Sequence, residues 1–390
     1  MPVPVPRLFF GVLMLVVMAA SACGGSAGRA SSEGGGATTF SRPATGPAAA
    51  GNAASAGANS PELTQLIQAA NQEHVLQLGW DSTVLGGTMG AKQFQDGMNK
   101  LYGTNIQINF TPLAAQAQVA AQMATEYKAG QKAVSDLYTG AGTNLVPLIQ
   151  QKVLASFDWT KLLPGRITPE IAEQNVALRL YTGIPSIEYN TNLIKGSMVP
   201  KHMQDLLAPT WMGKVYTTSY AASFDYLAAP EMWGEQRTLD YLQKLRPNLG
   251  GFVRCGDDQR IASGEVPALA LTCSEGTARR IAAKGAPVAQ VVPIDAAEQR
   301  YSYLAIPKNA EHIKAAELFA AYTMTPQGQA LVWNTMFDDL DSFPGSHTKA
   351  DVDQLKAEGA KFFGPSIQYL EDHPELQKAV DDMRNVLIQK

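Results

Sequence analysis

The sequence predicts an α/β protein built as two lobes, and three observations carry that expectation. Its 390 residues, 45% of them hydrophobic, exceed what one core of ordinary size accommodates and suit two. From residue 61 onward, short runs of strand character alternate with stretches of helical periodicity, as in strand–helix units around a sheet. Several of the strand runs end in hydroxyl- and glycine-rich turns at a helix start, the place where open α/β sheets hold ligands.

The elements follow in order. Pro61 to Gln72 carries Leu63, Leu66, Ile67 and Ala70 at helix spacing, with Ser60 as N-cap and Pro61 in the first turn. His74 to Trp80 reads as a strand that empties into Asp81-Ser82-Thr83. Gly86 to Tyr102 is helical through Phe94, Met98 and Leu101, and Asn105 to Phe110 alternates as a second strand. A helix is expected over Ala114–Ala129, and then a strand over Val134–Tyr138. That strand runs into Thr139-Gly140-Ala-Gly-Thr143, which opens a helix through Leu145, Leu148 and Ile149. A glycine-rich turn at a helix start offers unpaired N–H groups to an anion; as a bare turn, Thr139 and Thr143 would serve as caps. It lacks GxGxxG and a Walker lysine, so no nucleotide site is expected.

Beyond residue 200 a short helix is predicted around Met203, Leu206 and Leu207, then a strand over Gly213–Thr218 ending at Ser219-Tyr220-Ala-Ala-Ser223. Helical patterns through Phe224, Leu227 and Met232 and through Leu239, Leu242 and Leu245 come next, the second closing at Pro247 before Gly250-Gly251. Ile261 to Leu271 gives a short helix, a turn and a strand whose exit is Thr272-Cys273-Ser274-Glu275. A strand over Gly285–Pro293, a segment Tyr301–Lys308, a helix Ile313–Thr323 and amphipathic helix from Thr348 to Lys390 complete the chain.

Charge and composition exclude several functions. A net charge of −4, with 31 Lys+Arg and no run of like charges, argues against nucleic-acid binding. His74, His202, His312, His347 and His373 lie in five different elements without metal-ligand spacing, and no G-x-S-x-G elbow occurs. Neither catalysis, nor a cofactor, nor a metal is expected.

At the start, Arg7 precedes the apolar run Leu8–Ala20 and then Ser21-Ala22-Cys23, so residues 1–22 read as an export signal. The segment resembles a bacterial lipobox, which implies lipidation of Cys23; Ala20 stands where lipoboxes usually carry Leu. The other reading is an ordinary secretory signal with Cys23 incidental. Residues 23–60, rich in Gly, Ala, Ser and Thr, form a flexible linker by composition. The chain is thus expected outside the cytoplasm, lipid-anchored to the cell membrane and facing the periplasm or the extracellular side. Cys255 and Cys273 form a candidate disulfide that would contribute about 3 kcal/mol by loop-closure entropy; two separate thiols are the alternative.

The stretch Leu180–Val215 carries the most specific pattern. Tyr189-Asn-Thr191-x-Leu193 is followed by Asp205-Leu-Leu-x-Pro209-x-Trp211-x-Gly213-Lys-Val215. It resembles the crossing between lobes in extracellular solute-binding proteins of ABC importers, in the iron(III)-type branch. Glu126-Tyr-Lys-Ala-Gly130, Ala262-Ser-Gly-Glu-Val266 and Thr325-Pro-Gln-Gly-Gln329 resemble further phrases of that family, so the likeness covers roughly residues 62 to 335. It implies a two-lobed periplasmic-binding-protein type II fold, with hinged lobes and a ligand cleft between them. Residues 61–183 and 298–345 would form the first lobe, and 184–297 and 346–390 the second. The implied partners of this monomer are a small-molecule solute and an ABC-transporter permease; the same fold can serve instead as a sensing module. In the cleft the candidates are Trp80, Asp81, Ser82, Thr83, Thr139 and Gly140 from the first lobe. Ser186, Tyr189, Ser219, Tyr220, Thr272 and Ser274 are candidates from the second, with Tyr301 on the return. Asp81 could face an amine or bond its own turn. Ferric-binding members hold iron with a Tyr-Tyr pair where this chain has Ser274-Glu275, which points to a small polar or anionic solute rather than iron.

Overall fold

The structure, a computed structural model, describes residues 59–113, 115–272 and 275–388. The expected export signal, most of the linker, Cys23, Cys273 and Ser274 lie outside the described residues.

The first helix, Pro61–Glu73, begins as its sequence dictates: the Ser60 hydroxyl accepts the Leu63 N–H at 3.0 Å, and Leu63, Leu66 and Ala70 are its buried face. It leads into β1 (Val75–Trp80), which pairs in parallel with β2 (Gln107–Pro112). Strands β3 (Tyr138–Ala141), β4 (Ala172–Glu173) and β5 (Ala177–Gly183) form the next sheet, completed by a late strand, Arg300–Ala305. The expected strand Val134–Tyr138 is shifted toward its C-terminus for a physical reason. Ser135 and Asp136 bond β1 with their side chains, the Gly79 N–H donating to Ser135 Oγ (2.9 Å) and the Gln77 N–H to Asp136 Oδ2 (2.8 Å). That segment therefore leaves the ladder, and regular pairing starts at Tyr138.

The third sheet holds β6 (Ile187–Asn190), β7 (Val215–Thr218), β8 (Leu249–Val253), β9 (Ala268–Leu269) and β10 (Val288–Val291), in the order β10–β6–β9–β7–β8. The late strand is β11, antiparallel to both β3 and β5. β8 is absent from the expected elements because its Gly250-Gly251 weakens any strand pattern. Gly250 is required by close approach: a Cβ there would lie 2.3 Å from the Gly213 carbonyl oxygen. The pattern around Met203–Leu207 forms a five-residue 3-10 turn rather than an α-helix, its start held by Asp205 accepting the Lys201 and His202 N–H groups. The Phe224–Met232 pattern forms turns rather than an α-helix, with a 3-10 turn at Tyr226–Ala228; Ser223 before it has φ 63°.

The two halves have separate cores. Trp80, Phe94, Phe319 and Tyr322 belong to the first, and Tyr189, Trp211, Phe224 and Tyr241 to the second. A small separate cluster of Ile184, Val292, Ala297, Val352, Leu355 and Ala360 joins the two crossings, residues 184–186 and 292–299, to helix His347–Ala357. The C-terminal arm touches both halves: helix Ile367–Asp372 packs on Gly142–Gln150, and helix Glu375–Ile388 on Glu235–Leu245.

Candidate ligand cleft

In the first half, β1 of the two-stranded sheet and β3 and β5 of the four-stranded sheet end at Trp80, Ala141 and Gly183, and β11 begins there at Arg300. In the second, β7, β8, β9 and β10 end at Thr218, Val253, Leu269 and Val291, where β6 begins. The two crossings link these edges, so both halves present strand exits to the same region, where open α/β sheets bind ligands.

On the first edge Trp80 is buried, its indole N–H donating to the Leu137 carbonyl at 2.7 Å and its ring meeting Phe319 edge-on at 6.1 Å. Asp81 Oδ1 accepts the N–H (2.8 Å) and the hydroxyl (2.7 Å) of Thr83, closing its own turn. Ser82 and Thr83 are exposed. Leu85, Gly86 and Gly87 follow in left-handed conformation, with φ of 46°, 77° and 58°. A Cβ on Gly87 would lie 2.4 Å from the Ser82 carbonyl oxygen, so this residue lets the loop fold back on itself. Beside it Gly79, Trp80, Asp81, Gln116, Val119 and Thr139 line a narrow recess. The Thr139 hydroxyl is buried without a hydrogen-bond partner, an arrangement that costs desolvation unless something else completes it. Gly140 is buried against the ring of Tyr138. Tyr301 lies under the Arg179 guanidinium, 3.7 Å from its ring centroid, with its hydroxyl near Gly364; burial pushes its phenol up to about 12.

On the second edge Ser186 and Thr272 come together. The Thr272 N–H donates to the Ser186 carbonyl (2.8 Å), the Ser186 N–H to the Thr272 hydroxyl (3.2 Å), and the Ser223 hydroxyl to the Thr272 carbonyl (2.7 Å). Ala221, Ser223 and Leu271, none of them glycine, hold φ of 53°, 63° and 54° around this group. Side chains in that conformation cost energy and persist where surrounding structure imposes them, as ligand clamps do. Ser219 and Tyr220 are exposed, and the Tyr220 hydroxyl accepts the Cys255 N–H at 3.0 Å. Tyr189 sits in the second hydrophobic core, where burial raises its phenol.

Sequence reasoning missed the buried charges. Arg300 forms a two-pronged pair with Asp225 (2.7 and 2.9 Å), donates to Glu298 at 2.9 Å and stacks 3.9 Å over Tyr226. Glu298 is fully buried, and its Oε1 has no partner. Burial lifts its carboxyl to about 8; Arg300 pulls it down and Asp225 pushes it up. Glu188 is likewise buried and pushed well above the usual range, by burial first and by Asp258 second. Its place in the strand Ile187-Glu-Tyr-Asn190, flanked by apolar core residues, was the one available clue. Among the described residues, no group of three or more His, Cys, Asp or Glu is placed to hold a metal ion.

Residues 91–361 match the family of bacterial extracellular solute-binding proteins. The chain belongs to that family. A protein of Haemophilus influenzae, described only as uncharacterized, is 28% identical over 169 residues, 40% of this chain and 46% of that one. The matched stretch thus spans less than half of that relative. Among solved structures, the periplasmic binding protein AfuA of Actinobacillus pleuropneumoniae with fructose-6-phosphate bound aligns at a TM-score of 0.59 and 19% identity, covering 79% of this chain and 98% of that one. Iron-bound HitA of Pseudomonas aeruginosa aligns at 0.57 and 16%, covering 79% and 99%. The expected two-lobed type II fold is therefore the fold of this solute-binding protein. As a member of this family it is one of the bacterial extracellular solute-binding proteins, which act outside the cytoplasm.

Proposed function

We propose that this solute-binding protein is a lipoprotein that captures a small polar or anionic solute between its lobes and delivers it to an ABC-transporter permease. One observation carries the reading: an unpartnered buried hydroxyl, Thr139, at the first half's exit edge, across the crossings from the Ser186–Thr272–Ser223 group at the second. Ser82 and Thr83 would add hydroxyl groups from the first lobe, and Ser219, Tyr220 and Ser274 from the second. Hydroxyl and amide donors suit phosphate or carboxylate oxygens, and the sugar phosphate in AfuA is a ligand of that class. A solute touching both edges selects the closed state, because only there does it make both sets of contacts.

In this reading residues 61–183 and 298–345 form one lobe, and residues 184–297 and 346–390 the other. The export signal is residues 1–22, the lipid sits on Cys23, and residues 23–60 are the tether of a monomer. No substrate is turned over.

The test is a melting-temperature screen over sugar phosphates, phosphonates, carboxylates, polyamines, sugars and metal ions. A solute at 100 times its Kd adds about 2.7 kcal/mol to stability. An oxyanionic or polar solute is expected to raise the melting temperature. A shift from ferric iron alone would replace the solute class with the iron carried by HitA, and a shift from no class would end the reading.

A further inference from the structure

Helix Glu275–Ala282 packs on the second lobe through Ala278 and Ile281, which cluster with Val253, Val266, Leu269 and Val288, yet its start lies against the first lobe. A Cβ on Gly276 would be 2.2 Å from the Met336 carbonyl oxygen and 2.6 Å from Asp338 Oδ2, far inside a contact distance of roughly 3.5 Å. Met336 ends helix Pro326–Met336, which packs on Gly87–Tyr102 and Ile313–Thr323 of the first lobe. Gly276 does not lie in the left-handed region, so its own backbone does not call for glycine; the neighbouring lobe does. The charges agree with the fit. The carbonyl end of one helix and a carboxylate meet the positive end of another. Phe337, held at φ 58°, turns the chain between Met336 and Asp338. Three residues further along, Arg279 pairs with Asp351 at 2.6 Å, both largely buried, and its guanidinium lies 5.7 Å from the Trp333 ring centroid. Asp351 is on helix His347–Ala357, whose start is fixed to Asp339 of the first lobe by the His347 and Thr348 N–H groups (2.9 and 2.8 Å).

We infer that helix Glu275–Ala282 is a latch that sets the lobe angle without a solute: Gly276 docks on Met336 and Asp338, and Arg279 clips to Asp351. Neither residue is a candidate solute contact. The inference rests on the two-lobed capture reading, but its test reads lobe separation in the empty protein, so the two can fail separately.

Spin labels carried on unnatural amino acids at Met89 and Met212, which are 80% and 66% exposed on the first and second lobes, leave the native cysteines alone. Pulsed EPR on the full chain is expected to give a longer separation for Gly276→Ala than for the wild type, with an unchanged circular dichroism spectrum. Arg279→Asp is expected to lengthen it as well, and adding Asp351→Arg to restore it. Should Gly276→Ala fail to fold, that charge reversal and its rescue decide the matter alone. Wild-type separations in all these variants, or a lowered melting temperature at constant separation, would make the contact a fixed wall and overturn the inference. A longer separation beside an empty solute screen would keep the latch and remove the capture reading.

Discussion

Replacing Glu298 by Gln tests the electrostatics at the crossing between the lobes. The carboxyl is fully buried, one oxygen accepts from Arg300 at 2.9 Å, and the other has no partner. Arg300 is already neutralised by the two-pronged pair with Asp225, so an ionised Glu298 adds one negative charge that nothing balances. Burial accordingly moves its carboxyl from the ordinary 4.5 up to about 8. The folded protein holds this proton after the unfolded chain has lost it. The contribution is therefore complete below the unfolded value and is lost as pH rises toward the folded one. The loss runs at about 1.4 kcal/mol per pH unit, or about 2 kcal/mol between about pH 5.5 and 7. Glu298→Gln keeps the shape and removes the titration, without leaving Arg300 unpaired. Urea unfolding of both proteins across this range is expected to show similar stability at the acid end. By about pH 8 the variant should be the more stable by about 3 kcal/mol. Glu188 and Asp258 are also raised and impose the same direction on both proteins, so only the difference between the two profiles reports Glu298. Parallel profiles would show that Glu298 ionises normally and that the charge count at Arg300 is wrong.

Three further outcomes are expected. Thr139→Val removes a hydroxyl without a partner, so the empty protein should melt at the same temperature or higher. The strongest hit of the solute screen should bind about fivefold more weakly, roughly 1 kcal/mol, and unchanged affinity in calorimetry would take Thr139 out of the site. Peptide mapping under non-reducing conditions should recover Cys255 joined to Cys273, with reduction lowering stability by about 3 kcal/mol; two titratable thiols in the folded protein would reject the bond. Cys23→Ser should move the chain from the membrane to the soluble fraction of producing cells, and continued membrane association would reject lipidation at Cys23.

What was legible in the sequence was local. Helix Pro61–Glu73 announces itself because Ser60, Pro61 and the Leu63–Leu66–Ala70 face are read within one segment. Ser186 and Thr272 were each legible as hydroxyls beside a short apolar strand, but their pairing with one another was not, because it joins segments 86 residues apart. β8 was hidden because its interior glycines answer to a carbonyl of Gly213 and the ring of Tyr216, residues that only the folded sheet brings near. Helix Glu275–Ala282 was hidden because few of its residues are apolar and its start is matched to another lobe.

The buried charges show the same limit more sharply. Arg300 and Asp225 are 75 residues apart, and in the sequence each looks like any solvated surface charge. Burial changes their meaning, since an ion removed from water needs a partner in fixed geometry. Glu298, left with half its carboxylate unmatched, sits where the chain crosses from one lobe to the other. A crossing that carries a proton near neutral pH and a helix start trimmed to glycine where it meets the opposite lobe are both matched to one lobe arrangement. Hydrophobic periodicity records how each lobe fills its own core; it carries no information about the angle between two cores. In the latch reading that angle is set by Gly276 and Asp338, residues whose reasons lie on opposite sides of the crossing.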